Sequence, residues 1–377
     1  MSAGWAGAFL LAHNPSANQG YWLIPALTIG IAIGLCLRFI NGKKTALVLA
    51  LTAAIGMAIV NHFFPDSRVS VESVRILFTG VNQQGNLLQV KVDKRFQTAP
   101  FDKPLILKSP VSLDLSLFTR FPAGVDDFCF SPDETLYASL PRIGAVYRFK
   151  QPSSVDPGGS ELFLHSLDNP TGLVCGSDQL LVSETIQIKA YPYKTRTGEL
   201  LIGRLPDDGG EVAHRLLQVP EGLLFSIGSR CDACTEKDPL RATLQLLAPN
   251  GQLQIYSRGL RTVGGLAFNE ADGSLWASER SRIYPEPGAA DELNRLQPGK
   301  GYGWPLCDGN ATAVPDTLCK GATAAEILLQ SRANPAGVMS TSRLNYPLVY
   351  RDSLLMVLQG DSKYSIVPAV VRLQLSA

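Results

Sequence analysis

Six cysteines follow residue 66 in this chain: Cys129, Cys175, Cys231, Cys234, Cys307 and Cys319; a seventh, Cys36, lies inside an apolar run near the start. Cys231-Asp-Ala-Cys234 has the spacing of a zinc half-site or of a thiol redox pair. Zinc needs a second ligand pair of suitable spacing, and Cys307 and Cys319, with eleven residues between them, make a poor one. In an oxidising compartment the pattern favours two local bridges, Cys231–Cys234 and Cys307–Cys319. Cys129 and Cys175 occupy adjacent positions of two equivalent predicted strands. Alternation along a strand sends them to opposite faces, so both are expected as buried thiols. His13, His62, His165 and His214 are scattered and offer no metal-ligating spacing, and the sequence holds no glycine-rich phosphate loop and no nucleophile elbow.

The elements that carry these residues repeat. Past Asp66 an apolar strand, a turn with Pro or Asn followed by Asp, Glu or Gly, and a second apolar strand ending in a small or polar residue recur about every 40 to 50 residues. The units are DFCFSPDETLYAS (127–139), GLVCGSDQLLVSE (172–184), RLLQVPEGLLFSIG (215–228) and GLAFNEADGSLWASE (265–279). Outer strands are predicted at 145–150, 188–193, 240–247 and 252–257. A fifth, less regular unit runs from Pro335 through 353–360 to 369–375. Short strands at this period, each unit unable to bury its own faces, predict an all-β fold, a β-propeller. Helical periodicity is almost absent after residue 65, with 322–330 the exception.

The first 66 residues read differently. Tyr21–Ile40 and Thr45–Phe64 are each about 20 largely apolar residues, enough for a helix to cross roughly 30 Å of hydrocarbon. Asn-Gly-Lys-Lys (41–44) joins them as a tight turn. Arg38, Lys43 and Lys44 cluster at that turn, while residues 1–37 carry no charged side chain, so the turn is expected in the cytoplasm. The predicted organisation is a two-helix anchor over 1–66 in the inner membrane and a β-propeller over 67–377, with the N-terminus and propeller in the periplasm of a Gram-negative cell. A net charge of +1 gives no argument for nucleic acid as a partner.

The stretch from Gly259 to Pro305 carries an arginine after Gly-Leu, an apolar strand ending in Ser-Glu, the tetrad DELN (291–294) and the closing GYGWP (301–305). These elements, in this order, resemble the pyrroloquinoline quinone (PQQ) dependent soluble glucose, aldose and sorbosone dehydrogenases. The resemblance implies a six-bladed propeller, with residues 74–98 the candidates to complete the ring here. It also implies PQQ and Ca²⁺ as cofactors, and oxidation of a CH–OH group of an aldose or related sugar, with electrons passing to a respiratory quinone or an acceptor protein.

Carried over residue by residue, the resemblance places Arg261 on the quinone carboxylates, with Thr262, Arg230 and Arg282 beside it. Ser281 and Arg282 stand where relatives offer backbone carbonyls to Ca²⁺, followed by Asp291 and Glu292. Relatives carry a histidine base four residues before the arginine that matches Arg215; here that position is Glu211. Burial can raise a carboxylate's pKa enough to make it a general base. His214, three residues on along an extended strand, is expected to point the other way unless a bulge intervenes. The alternative is a propeller that has lost turnover and binds a sugar, a cofactor or a protein partner.

Overall fold

The computed structural model describes residues 86–99, 101–109, 115–150, 159–285, 288–307, 319, 321–342 and 352–375. Both expected spans, 21–40 and 45–64, lie outside these residues, as does the predicted strand VRILFTG (74–80). Among the described residues no helix is long and apolar enough to cross a membrane.

The chain divides into two units, 1–118 and 119–377. In the first, β1 (Asn86–Gln89) pairs antiparallel with β2 (Ile106–Ser109). The second holds five consecutive antiparallel sheets. The first blade is β3 (Asp127–Phe130), β4 (Leu136–Leu140), β5 (Ala145–Lys150) and β6 (Gly159–Leu164). The second is β7 (Leu173–Cys175), β8 (Gln179–Glu184), β9 (Gln187–Pro192) and β10 (Glu199–Gly203). The third is β11 (Leu216–Val219), β12 (Gly222–Ile227), β13 (Thr243–Leu247) and β14 (Leu253–Arg258). The fourth is β15 (Val263–Asn269), β16 (Ser274–Glu279), β17 (Glu292–Leu296) and β18 (Ile327–Leu328); the fifth has three strands, β19 (Pro335–Ser340), β20 (Ser353–Leu358) and β21 (Ala369–Gln374). The chain is thus an all-β propeller with five blades among its described residues.

The core is not one cluster but a layer between each pair of successive blades. Tyr137, Val146 and Phe163 of the first blade meet Leu173, Leu180 and Val182 of the second. Ile188 and Ile202 meet Phe225 and Ile227 of the third. Leu224 and Leu244 meet Leu266 and Leu275 of the fourth, and Trp276 and Leu293 meet Val338, Leu354 and Met356 of the fifth. Each blade buries its faces only by stacking, as the sequence repeat requires.

The small residue ending each second strand has a specific task. Ser139 Oγ accepts the Asp127 N–H at 3.1 Å and donates to the Thr171 carbonyl of the next blade at 3.4 Å. Ser183 Oγ accepts the Gly172 N–H at 2.6 Å and donates to the His214 carbonyl at 2.8 Å. Ser226 Oγ accepts the Arg215 N–H at 2.9 Å. The hydroxyls tie each blade's innermost strand to its own second strand and, in the first two blades, to the chain entering the next. Glycine in the innermost strands permits the approach: a Cβ on Gly172 would lie 2.2 Å from the His214 oxygen, and one on Gly264 would lie 2.0 Å from the Pro335 oxygen.

Two expectations are corrected. Residues 322–330 are not helical; β18 lies there and pairs with β17, Glu292 opposite Leu328 and Leu293 opposite Ile327, so sheet completion overrides a weak helical pattern. Cys129 and Cys175 are not thiols but a disulfide with Cα atoms 5.7 Å apart. Alternation does send them to opposite faces of their blades. Stacking then brings those opposite faces together, so a one-residue offset between neighbouring blades points the side chains at each other. Cys231–Cys234 and Cys307–Cys319 are bridged as expected.

Candidate active site

Two carboxylates end up side by side where β16 finishes and β17 begins. Glu279 and Glu292 are direct cross-strand partners, both buried. Asn294, two residues along the same face of β17, donates its Nδ2 to Glu279 Oε2 at 3.0 Å and to Glu292 Oε2 at 3.1 Å. Burial, reinforced by the neighbouring Glu292 charge, raises the Glu279 pKa well above the usual carboxylate range. Glu279 Oε1 accepts the Arg261 N–H at 2.6 Å, while Asn294 Oδ1 is buried and accepts no hydrogen bond. The pair lines a cavity of about 290 Å³ together with Ser281, Arg282, Tyr302 and Trp304.

Arg261 enters β15 from a tight approach, since a Cβ on Gly259 would meet the Gly303 nitrogen at 2.8 Å. Its guanidinium is committed. Nη2 pairs with Asp232 Oδ1 at 3.1 Å, Nε donates to the Asp232 carbonyl at 3.2 Å, and Nη1 reaches Thr262 Oγ1 and the Arg280 carbonyl, each at 3.4 Å. Asp232 also accepts the N–H groups of Ile283 and Tyr284 at 2.7 and 2.9 Å, and its carbonyl accepts from Trp304 Nε1 at 3.0 Å.

A second charged group gathers where the innermost strands begin. Arg215, buried at the entry to β11, donates Nη1 to Asp126 Oδ2 at 2.6 Å. Beside Asp126, Asp127 accepts the N–H groups of Phe128 and Leu173, and burial raises its pKa to about 6. Arg280, its pKa lowered by burial, feels the charges of Glu211, Arg215, Asp126 and Asp291; its Nε donates to the Pro335 carbonyl at 3.2 Å. Glu211 is anchored by its backbone, N–H to Ser229 and carbonyl to Arg241. Among the described residues no side chain or backbone group hydrogen-bonds its carboxylate.

The sequence candidates therefore divide. Glu292, Ser281 and Arg282 line the cavity, and Arg261 and Thr262 touch each other at its edge. The Arg282 carbonyl already accepts the Ala289 N–H at 3.0 Å. Asp291 points away from Glu292: its carboxylate accepts the Ser281 and Asn334 N–H groups at 2.9 and 2.8 Å, tying the 281 turn to the fifth blade, and burial raises its pKa. Arg230 turns to Asp208 and Glu236, 3.5 and 3.8 Å away. His214 is fully enclosed, Nδ1 against the Ser226 carbonyl at 2.8 Å and Nε2 against that of Thr185 at 3.0 Å; burial lowers its pKa. It is a packing residue, not a base facing substrate. Glu279, Asn294 and Asp232 escape sequence reasoning. Glu279 and Asn294 are visible only as the ends of SE and DELN, and Asp232 only through contacts made across blades.

Residues 242–359 match the family model described as "Glucose / Sorbosone dehydrogenase". The chain carries a glucose/sorbosone dehydrogenase domain over those residues, which make up under a third of its length. It is 31% identical over 130 residues to the aldose sugar dehydrogenase YliI of Escherichia coli K12, covering 30% of this chain and 31% of that protein. It is 36% identical over 58 residues to the uncharacterized protein slr1608 of Synechocystis, covering 15% and 13%. The matched part is thus under a third of either relative. In fold, this chain is similar to the PQQ-bound aldose sugar dehydrogenase of Streptomyces coelicolor, with a TM-score of 0.53 and 18% identity over 69% of this chain and 80% of that one. It is similar also to a Trichoderma reesei enzyme of family AA12, with a TM-score of 0.55 and 15% identity over 68% and 79%.

Proposed function

We propose that this protein is a PQQ- and calcium-dependent oxidoreductase acting on a CH–OH group of an aldose or related sugar, anchored by residues 1–66 in the inner membrane with its propeller in the periplasm. The observation that carries the reading is Glu211: it stands in the register of the family's base, and its carboxylate, without a hydrogen bond among the described residues, lies in the field of the Arg280 charge. The Ser229 carbonyl and Arg241 hold the Glu211 backbone, so Glu211 can accept the proton of a sugar hydroxyl without rearranging the hub.

The fit to Ca²⁺ is good. Two facing buried carboxylates and the orphaned Asn294 Oδ1 are the hard oxygens this ion takes. Glu279 and Glu292 would hold it, and it would neutralise their mutual repulsion. The fit to PQQ is conditional, because Arg261 is already paired with Asp232 and would have to exchange that carboxylate for one of the cofactor's. PQQ, when bound, supplies the two-electron acceptor.

The ring is proposed to have six blades, as the resemblance implies. Phe128 on the first blade and Met339, Val357 and Val370 on the fifth remain exposed, apolar surface of the kind that blades elsewhere in the molecule bury. A second functional reading, binding without turnover, is favoured by the Arg261–Asp232 pair and by Glu211 in place of histidine. Calorimetric titration with PQQ and Ca²⁺, run alongside a dye-linked assay on common aldoses, separates the two: binding with turnover supports the first, binding alone the second, and no binding rejects the PQQ assignment. A phosphatase fused after residue 66 should be active if the propeller is exported.

A further inference from the structure

The Cys231–Cys234 bridge encloses Asp232, the residue that joins Arg261, the 283–284 turn and Trp304. Beside it stands Glu236, one of whose carboxylate oxygens lies with both sulfurs in a cluster no more than 4.8 Å across. Glu236 Oε1 accepts the Arg230 N–H at 2.6 Å. Its Oε2 is buried and accepts no hydrogen bond, with Arg230 Nε 3.8 Å away. A disulfide sulfur has no hydrogen to donate, whereas a thiol does. Opening the bridge would therefore place hydrogen donors beside the Glu236 carboxylate that the disulfide cannot supply.

We propose that Cys231-Asp-Ala-Cys234, with Glu236 beside it, is a thiol–disulfide exchange site whose oxidation state sets whether Asp232 holds Arg261. The co-reactant is a dithiol. Its thiolate attacks one of the two cysteine sulfurs, breaking the Cys231–Cys234 bond and forming a mixed disulfide. The dithiol's second sulfur then displaces the cysteine and leaves as an oxidised disulfide. Two electrons pass to Cys231 and Cys234, each of which ends as a thiol, and Glu236 is placed to accept and return a proton there.

The position suits exchange. Cys231 and Cys234 are half-buried next to exposed Ala233 and Thr235. Their separation is 3 residues against 12 and 46 for the other two bridges, so this bridge constrains the unfolded chain least and costs least to open. Opening the ring removes the covalent restraint on Asp232, and with it the ion pair that occupies Arg261. Only the consequence for PQQ rests on the cofactor reading given above.

The test uses the full-length protein with graded ratios of reduced to oxidised dithiothreitol, maleimide trapping and mass spectrometry at each cysteine. Cys231 and Cys234 should label at milder ratios than the other four, and Glu236→Gln should flatten the pH dependence of their reduction. The amides of Ile283 and Tyr284 should exchange hydrogen at least tenfold faster once the bridge opens. The same should hold in C231S/C234S without reductant, at an unchanged unfolding temperature. Should that double variant fold poorly, Asp232→Ala with the bridge intact should release the same two amides. Labelling of 231 and 234 together with or after Cys129, Cys175, Cys307 and Cys319, or unchanged amide exchange, overturns the proposal. PQQ should bind C231S/C234S about tenfold more tightly than the oxidised parent; binding to neither rejects the cofactor reading, while thiol labelling and amide exchange still decide the switch.

Discussion

Glu279 and Glu292 face each other across adjacent strands and share one donor, the Nδ2 of Asn294 at 3.0 and 3.1 Å. Two buried carboxylates at facing positions repel each other, which favours uptake of a proton or a cation by the pair. Burial, reinforced by the Glu292 charge, raises the Glu279 pKa, so Glu279 takes up a proton more readily than an ordinary carboxylate.

If the pair is the Ca²⁺ site proposed above, proton and Ca²⁺ compete, and the sign follows. Ca²⁺ binding displaces the proton, so its affinity should rise with pH, up to about tenfold per unit until the raised Glu279 pKa is passed. The measurement is the Ca²⁺-induced increase in unfolding temperature between pH 5.5 and 8. His214, whose lowered pKa weakens the fold on acidification, acts with and without Ca²⁺ and cancels in this difference. Glu279→Gln should abolish most of the increase. A pH-independent effect, or one unchanged in that variant, would remove the pair from the metal site.

Cys129 and Cys175 bridge the first two blades across 46 residues of sequence. Closing a loop of that length is worth roughly 2–4 kcal/mol. C129S/C175S should lower stability by about that amount, read by chemical denaturation, and leave Ca²⁺ binding intact, because Glu279, Glu292 and Asn294 all lie in the fourth blade. A loss under 1 kcal/mol would mean that the hydrophobic layer alone holds these blades.

How far the sequence reaches is clear from such pairs. Strand β5 falls on 145–150 as the repeat predicts, because a blade's apolar alternation is local information. The bridge between Cys129 and Cys175 was hidden because it depends on which faces of two blades meet. In the site, Glu292 was legible from DELN, but its partner Glu279 lies 13 positions earlier, joined to it only by strand register. Asp232 makes every relevant contact to residues 29 to 72 positions away, beyond any local pattern.

Gly264 tests the stacking of the fourth and fifth blades. An added Cβ would lie 2.0 Å from the Pro335 oxygen, which is backbone and cannot swing aside. Gly264→Ala should cost about 3 kcal/mol. Gly273, with open space around its Cβ position but a φ of +69°, should cost about 1 kcal/mol as alanine. Equal losses at the two positions would mean that strain and not interblade contact governs Gly264.

The last prediction concerns the base. The Glu211 carboxylate is unbonded and near Arg280, whereas His214 three residues on is enclosed with both ring nitrogens against carbonyls. Glu211→Gln keeps the shape but removes the proton acceptor, so turnover should fall at least a hundredfold with PQQ binding retained. His214→Gln should instead lower stability and leave kcat of the folded fraction within a few-fold. Glu211→His should retain or raise turnover, since imidazole titrates near pH 6.5 and can accept the same proton. A parent that turns over no aldose while Glu211→His does would identify the natural protein as a binding propeller whose hub lacks only its base. Activity that survives Glu211→Gln would place the proton acceptor elsewhere, with Asp126 and Asp127 the candidates in the same hub.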